Sequence, residues 1–218
     1  MAIHAIIFDM DGLLIHTEPL WVQAQIDILS QLGAEISQAH CAQTTGLRID
    51  EVVAHYHHQK PWNTPSIKEV AHNIAQRVAT LFTHKKELLD GAHHALTIAQ
   101  KTQLPIALAS SSPRFLIQSL LSQAKLDDYF SLICSAEDDP LGKPHPAIYI
   151  RTAHLLKCRP QDCIALEDSL FGVIAAKAAR MHCIAVPAPH QQQDPRYSIA
   201  DYVLPSLRSI SPQHFKST

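Results

Sequence analysis

The sequence predicts an α/β protein in which a parallel sheet carries an inserted lobe of helices. Two patterns lead to this prediction. From residue 89 to the C-terminus, short apolar runs alternate with helical periodicity, which is typical of a parallel sheet with helices on both faces. Before that, a purely helical block separates the first apolar run from the others. With 218 residues and 46% hydrophobic content, the chain can fill one core and a smaller lobe.

The first element is an apolar strand that ends on two acids. The run at residues 3–8 is typical of a buried strand, and Asp9, Met10, Asp11 and Gly12 follow it directly. Ligands of open parallel sheets bind just beyond the carboxyl ends of the strands, which is where these acids lie. Side chains two residues apart on a strand point to the same side, so Asp9 and Asp11 face the same way. Two carboxylates this close raise each other's pKa unless a cation joins them or one keeps its proton. The pair therefore indicates a nucleophile and a proton donor that share a divalent metal.

The second element is a helical block that separates this strand from the rest of the chain. Apolar residues recur at helical spacing over 20–32 and stop at Gly33, and further helices are expected at 50–57 and 66–82. The block extends from about residue 17 to residue 86. We therefore expect an α/β core of residues 1–16 and 87–218 and a helical cap of residues 17–86, lying above the first strand's acids.

The remaining elements alternate between helix and strand. We expect strands at 106–109, 132–134, 164–166, 184–186 and 202–204, and helices at 92–101, 114–123, 147–156 and 172–179. Such alternation favours a Rossmann-like core, in which every strand runs in the same direction.

Polar residues follow three of these later elements. Ser110, Ser111 and a third serine come directly after a strand, Lys143 stands in a loop before a helix, and Glu167-Asp168 end another strand. Hydroxyls and backbone N–H groups before a helix suit a phosphate, a lysine suits phosphate oxygens, and Mg²⁺ prefers carboxylates. Each feature alone also fits a helix cap or a solvated side chain. The ordered set is much more specific than its members.

Composition excludes several classes of function. A formal net charge of -2 gives no basic field for nucleic acid, and no apolar run reaches membrane-spanning length. The five cysteines are odd in number and form no C-x-x-C pair, which favours free thiols in a reducing compartment and a cytoplasmic protein. The histidines at 55, 57 and 58 lack the one-face spacing of a helical metal motif, so we expect a solvated face there.

The ordered set of polar residues resembles the four motifs of the haloacid dehalogenase superfamily, and the resemblance covers the whole chain. The motifs correspond to Asp9-Met10-Asp11-Gly12, Ser110, Lys143 and Glu167-Asp168. Within the superfamily, the chain is similar to the beta-phosphoglucomutase-like branch, which carries an inserted helical cap. It is most similar there to the hexitol phosphatases and 2-deoxyglucose-6-phosphate phosphatases, on segments 9–14, 46–50, 61–63 and 177–181. The two cap segments, 46–50 and 61–63, are the more particular ones.

The resemblance implies a role for each acid. Asp9 would be the nucleophile that forms an aspartyl-phosphate, and Asp11 would be the general acid and base. Mg²⁺ would be bound by the Asp9 carboxylate, the Asp11 backbone carbonyl and Asp168. Glu167 would order the water ligands of the metal.

The resemblance also implies a substrate and the residues that bind it. Ser110, the Ser111 amide and Lys143 would bind the phosphoryl group. Arg48 in the cap is a candidate for contacting the rest of the substrate, although an exposed arginine at a helix start is an equal alternative. Trp21 and Trp62 could pack on a sugar, with packing inside the cap as the simpler role. The expected substrate is a small phosphorylated sugar or sugar alcohol, and we expect a monomer with no nucleic-acid or membrane partner.

Three alternatives stay open at this stage. A dehalogenase would need neither Asp11 nor the Glu167-Asp168 pair, and a non-catalytic binding module would not need both Asp9 and Asp11. A beta-phosphoglucomutase-type mutase shares all four motifs and the cap. In the mutases, a histidine stands where this chain has Trp21, which favours the phosphatase. His16 occupies a position where relatives often have aspartate.

Overall fold

The computed structural model describes residues 2–216 and contains one six-stranded sheet. The strands are β1 (Ala5–Phe8), β2 (Ile106–Ser110), β3 (Leu132–Ser135), β4 (Cys163–Glu167), β5 (His182–Ala185) and β6 (Tyr202–Val203). They lie in the order β3-β2-β1-β4-β5-β6, and every neighbouring pair is parallel. The expectation of an α/β protein with a parallel, Rossmann-like sheet is confirmed.

Eight α-helices accompany the sheet in the described residues. They are α1 (Glu18–Leu29), α2 (Gln38–Ala42), α3 (Ile49–Gln59), α4 (Ile67–Lys85), α5 (Ala92–Lys101), α6 (Arg114–Ala124), α7 (Ala147–Leu155) and α8 (Leu170–Ala178). Most bounds agree with the sequence prediction to within three residues. The short helix α2 was not predicted, because five residues are too few to show helical periodicity. Strand β5 begins two residues earlier than expected, since His182 already pairs with Ile164 of β4.

The position of β1 determines which loops meet at the sheet edge. It lies between β2 and β4, and Phe8 at its end is level with Leu108 and Leu166 of those strands. Asp9 and Glu167, which follow Phe8 and Leu166, are therefore neighbours at the same edge. The parallel register brings together acids that are far apart in the sequence.

Alternate residues of β1 pack on opposite faces of the sheet. Ile6 and Phe8 belong to a cluster with the apolar residues of α5 and α6. Ala5 and Ile7 belong to a second cluster with α7 and α8. All four side chains are fully buried, so β1 is apolar on both faces, as expected for a central parallel strand.

The helices between β1 and β2 pack against one another, with α4 in contact with both α1 and α3. Helix α4 begins at a capping box formed by Ser66 and Glu69 and buries one stripe that includes Ile74 and Val78. It also contacts α6, so this helical block is packed onto the sheet's own helices. The division into residues 17–86 and the remainder stays a prediction.

Within residues 2–216, no helix combines the length and the apolar content needed to cross a bilayer.

Candidate active site

Three carboxylates and one lysine meet at the carboxyl edge of the sheet. The Nζ atom of Lys143 donates to Asp9 Oδ1 and to Glu167 Oε1, both at 2.6 Å, and to the Ala109 carbonyl at 3.1 Å. Lys143 and Glu167 are buried, and Asp9 is 5% exposed. Carboxylate oxygens of Asp9, Glu167 and Asp168 all lie within 4.8 Å of one another. The lysine therefore balances part of a concentrated negative charge.

The electrostatics show that one lysine is not enough for three adjacent acids, of which Asp9 and Glu167 are buried. Burial raises the pKa of Asp9 to about 8, with Lys143 opposing the shift and Glu167 adding to it. Burial also raises the pKa of Asp168 well above its usual value, and the charge of Asp9 raises it further. The pKa of Lys143 is raised as well, because the adjacent carboxylates outweigh the effect of burial. The lysine stays charged, and the acids need a further cation to be fully ionised.

This donor set fits a hard divalent cation. Mg²⁺ is typically bound by one or two carboxylates together with water and phosphate oxygens. In residues 2–216, Asp9, Glu167 and Asp168 form the group of potential metal ligands that lie close together. The histidine-rich segment at 55–58 contributes no residue to this group.

Gly12 leaves the space in which the Asp168 carboxylate lies. A Cβ atom at this position would come within 2.2 Å of Asp168 Oδ2. Gly12 also has φ +78°, a backbone conformation that other residues adopt at a cost. The glycine after the two acids therefore permits the turn and the approach of Asp168.

Asp11 is oriented by four hydrogen bonds from side chains. Thr17 Oγ1 and Trp21 Nε1 donate to its Oδ1 at 2.8 and 3.0 Å. The hydroxyls of Ser110 and Ser112 donate to its Oδ2 at 3.0 and 2.8 Å. The donors come from the start of α1 and from the end of β2, so Asp11 is held between the helical block and the sheet.

The Glu167 carboxylate is held in place by hydrogen bonds from neighbouring side chains. The Tyr149 hydroxyl donates to Glu167 Oε1, the same oxygen that contacts Lys143, and Ser169 Oγ donates to Oε2 at 3.4 Å. Burial and the charge of Glu167 raise the pKa of Tyr149 well above its usual value, so the phenol remains a donor. A Cβ atom on Gly172 would lie 2.1 Å from the Glu167 carboxylate, so no larger residue fits there.

A cavity of about 740 Å³, counting space open to solvent, lies between the acids and the helical block. Asp9, Asp11, Lys143 and Asp168 line it on the sheet side. Its opposite wall comes from α1, from residues 44–47 and from the start of α3. The sheet side supplies these four charged groups, and α1 adds a fifth, Glu18.

The structure brings most of the predicted site residues together. Asp9, Asp11, Ser111, Lys143 and Asp168 line the cavity. Ser110 and Glu167 are fully buried just behind it and bond to Asp11 and Lys143 respectively.

Ser111 contacts the helical block rather than the acids. Its hydroxyl donates to the Gly46 carbonyl at 3.0 Å. This hydrogen bond joins two residues of the cavity wall.

Arg48 does not line the cavity in this structure. Its Nη1 atom donates to the carbonyls of Ala136 and Asp139 at 2.9 and 2.7 Å, and its Nε atom pairs with Asp50 at 2.7 Å. Nearby, Glu51 Oε1 accepts from the Gly142 N–H at 2.9 Å. Arg48 and Glu51 therefore attach the start of α3 to the loop that leads to Lys143, and substrate contact by Arg48 stays a prediction.

Two further sequence candidates lie outside the cavity wall. Trp62 donates from its indole to the Pro65 carbonyl at 2.8 Å and packs edge-on against His57, which is packing within the helical block. His16 is half-buried, and its backbone N–H donates to the Glu87 carbonyl at 2.9 Å.

Four functional contacts were missed by sequence reasoning. Thr17 and Trp21 lie four residues apart at the start of a helix that follows Asp11, and this spacing could have identified them as one face. The run of serines at 110–112 does not indicate that Ser112 contacts Asp11. Tyr149 carries no local signal, because its role depends on how α7 packs beneath β4.

Comparison with known proteins agrees with this geometry. Residues 6–186 match the haloacid dehalogenase-like hydrolase family. The chain belongs to this family and is one of its phosphatases.

Relatives with assigned activities are similar over nearly the whole length. Hexitol phosphatase B of Escherichia coli strain K12 is 44% identical over 95% of this chain and 94% of its own. Validoxylamine A 7'-phosphate phosphatase of Streptomyces hygroscopicus subsp. limoneus is 26% identical over 95% of this chain and 96% of its own. The crystal structure of a beta-phosphoglucomutase from Clostridium difficile superposes with a TM-score of 0.86 at 22% identity, covering 97% of this chain and 95% of that one. This last likeness establishes the shared fold.

Proposed function

We propose that this phosphatase hydrolyses small sugar or sugar-alcohol phosphates with the help of Mg²⁺, through an aspartyl-phosphate on Asp9. The observation that carries the proposal is the placement of Asp9 on the cavity wall, with Lys143 at 2.6 Å and Asp168 beside it. A carboxylate held in this way can attack a phosphoryl group whose charge is balanced by its surroundings.

Asp11 acts beside Asp9 as the general acid and then as the base. In the first step, an Asp9 oxygen bonds to phosphorus while the ester oxygen leaves and takes a proton from Asp11. In the second step, Asp11 takes a proton from water, which attacks phosphorus and releases Asp9 and inorganic phosphate. The hydrogen bonds from Thr17, Trp21, Ser110 and Ser112 support this role because they hold the carboxyl group at the cavity wall.

The metal would be bound by the Asp9 carboxylate, the Asp11 backbone carbonyl and the Asp168 carboxylate. When bound, Mg²⁺ supplies positive charge that stabilises the phosphoryl oxygens during transfer. Glu167 is anchored by Lys143 and Tyr149 and orders the surroundings of the metal. Lys143 and the Ser111 amide would contact the phosphoryl oxygens. Ser110, for which the sequence predicts the same contact, lies buried behind the cavity and donates to Asp11 instead.

Two observations support a sugar or hexitol phosphate as the substrate. The relative that is 44% identical is named a hexitol phosphatase. The wall opposite the acids mixes apolar residues such as Val22 and Leu47 with polar ones such as Gln25 and Thr44, which suits a carbon chain that bears hydroxyl groups.

The mutase reaction is the second candidate, and the contact at Asp11 argues against it. The family resemblance places a histidine of the mutases at the position of Trp21. The indole N–H of Trp21 donates to Asp11 at 3.0 Å and cannot take up a proton at neutral pH. This site therefore lacks the titratable histidine that, in the mutases, helps to control the aspartate equivalent to Asp11.

The test measures phosphate released from glucitol 6-phosphate by the purified protein with Mg²⁺ and after chelation by EDTA. We expect turnover with Mg²⁺, loss on chelation and loss in Asp9→Asn. The control is Asp128→Asn, an exposed acid outside the cavity, which should keep its activity. Turnover by Asp9→Asn at the wild-type rate would contradict the nucleophile assignment. Conversion of beta-glucose 1-phosphate to glucose 6-phosphate faster than phosphate release would establish the mutase instead.

A further inference from the structure

We propose that Gln25 binds a hydroxyl group of the substrate's leaving group and so determines which phosphate esters this site prefers. The inference rests on the proposed function and deepens it, because it assigns a residue to the part of the substrate that carries no phosphate.

The first observation is an unmet hydrogen-bond acceptor in the cavity wall. Gln25 lines the cavity and is 7% exposed, and its Oε1 atom is buried with no donor within hydrogen-bond distance among residues 2–216. The other buried side-chain oxygen without a partner in that range, Gln123 Oε1, is not in the wall. A buried amide oxygen without a donor is uncommon in folded proteins and lowers stability.

The second observation is that the protein's own hydroxyl donors in the wall are already engaged. All six donate to protein oxygens: Thr17 and Ser112 to Asp11, Thr44 and Thr45 to Cys41, Ser111 to Gly46, and Ser169 to Glu167. A hydroxyl group of the molecule that occupies the cavity can therefore supply the donor that Gln25 lacks.

The position of Gln25 indicates which part of that molecule it contacts. Trp21 and Gln25 are four residues apart on α1 and share one face, about 6 Å apart along the helix axis. Trp21 contacts Asp11, which protonates the ester oxygen, so Gln25 lies one helical turn farther from the bond that breaks. The hydroxyl group that it binds belongs to a carbon beyond the one that carries the ester.

The chemistry of the side chain selects the kind of group. A carboxamide oxygen accepts a hydrogen bond but carries no positive charge, so it favours a neutral hydroxyl over a second phosphate. The site therefore fits a monophosphate of a polyol or sugar.

The experiment compares glucitol 6-phosphate with hexyl phosphate, which has the same six-carbon chain and no hydroxyl groups. Wild type and Gln25→Leu are assayed with both esters, and the ratio of their kcat/KM values is the readout. Because leucine removes the acceptor and keeps the bulk, we expect the preference for glucitol 6-phosphate to fall about 10- to 100-fold. The melting temperature of Gln25→Leu should equal or exceed that of wild type, because the unmet acceptor is gone.

The matched control is Gln23→Leu, the same substitution on the exposed side of the same helix, which should keep the wild-type ratio. If Gln25→Leu fails to fold, Gln25→Met also removes the acceptor and keeps an unbranched chain. A ratio that stays at its wild-type value in a folded Gln25 variant would overturn the proposal for Gln25 alone. A wild-type protein that releases no phosphate from either ester would overturn the proposed function together with it.

Discussion

The indole N–H of Trp21 donates a hydrogen bond to Asp11 Oδ1 at 3.0 Å, from a helix that follows β1 directly in the chain. The contact brings an aromatic residue, expected to pack inside the helical block, into the wall of the active site. The same carboxylate oxygen accepts from Thr17 at 2.8 Å. The orientation of the general acid therefore depends on the first turn of α1.

Trp21→Phe should impair protonation of the leaving group. Phenylalanine keeps an aromatic ring but removes the N–H, and a hydrogen bond to a charged group contributes about 1.5–3 kcal/mol. We expect kcat for glucitol 6-phosphate to fall about 10- to 100-fold, with a smaller loss for p-nitrophenyl phosphate, whose leaving group needs less help from an acid. The control is Trp62→Phe, whose indole donates to a carbonyl outside the cavity. Equal losses for both substrates would contradict this role.

Lys143→Met should destabilise the fold as well as abolish activity. The substitution leaves Asp9 and Glu167 buried without the cation that contacts both at 2.6 Å, and breaking such a buried pair costs about 3–5 kcal/mol. Urea unfolding measures this loss, and saturating Mg²⁺ should restore more stability to the variant than to wild type.

The control for Lys143 is Lys177→Met. Its ion pair with Asp201 is about one-third exposed, with side-chain accessibilities of 30% and 34%, and such pairs contribute about 0.2–1 kcal/mol. Equal stability of the two methionine variants would show that Lys143 does not balance the buried acids.

Gly12→Ala and Gly33→Ala form a matched pair. Both glycines have similar positive φ angles, +78° and +79°, so alanine strains both backbones by about 1–2 kcal/mol. At Gly12 the new Cβ would also lie 2.2 Å from Asp168 Oδ2, whereas at Gly33 the nearest atom is 3.6 Å away. We expect Gly33→Ala to keep its activity and Gly12→Ala to lose most of its response to Mg²⁺ in a titration of phosphate release. Equal responses would mean that Asp168 is not needed for the metal.

Arg48→Met separates the two roles considered for this residue. The structure shows its guanidinium on the carbonyls of Ala136 and Asp139, so its loss should loosen α3 from the loop before Lys143. We expect KM to rise by a similar factor for glucitol 6-phosphate and for hexyl phosphate. A rise confined to glucitol 6-phosphate would instead support direct contact with the substrate's hydroxyl groups. The control is Arg77→Met, whose ion pair with Asp27 lies within the helical block. We expect Arg48→Met to raise KM more than this control does.

The sequence predicted the parts of the site that depend on strand ends. Asp9, Asp11 and Glu167-Asp168 each end an apolar run, and parallel strands place such ends at one edge whatever the details of packing. Arg48, Trp21 and Tyr149 were harder to interpret, because each acts through an element that is distant in sequence or through a loop. Their partners depend on how helices dock on the sheet, which local periodicity does not specify. Gln25 gave no signal at all, since a buried glutamine is recognisable only when its missing partner is seen.

The hydrogen bonds to Asp11 limit where the sequences of two such enzymes can be joined in a chimera. One oxygen of its carboxylate accepts hydrogen bonds from Thr17 and Trp21, and the other accepts from Ser110 and Ser112. The donors therefore come from two separate stretches of the chain. A chimera that exchanged the whole segment after β1 would bring in foreign donors for half of this carboxylate. A crossover placed after Trp21 would keep all four donors while exchanging the residues that face the leaving group. Protein engineers should therefore treat the first turn of α1 as part of the catalytic unit.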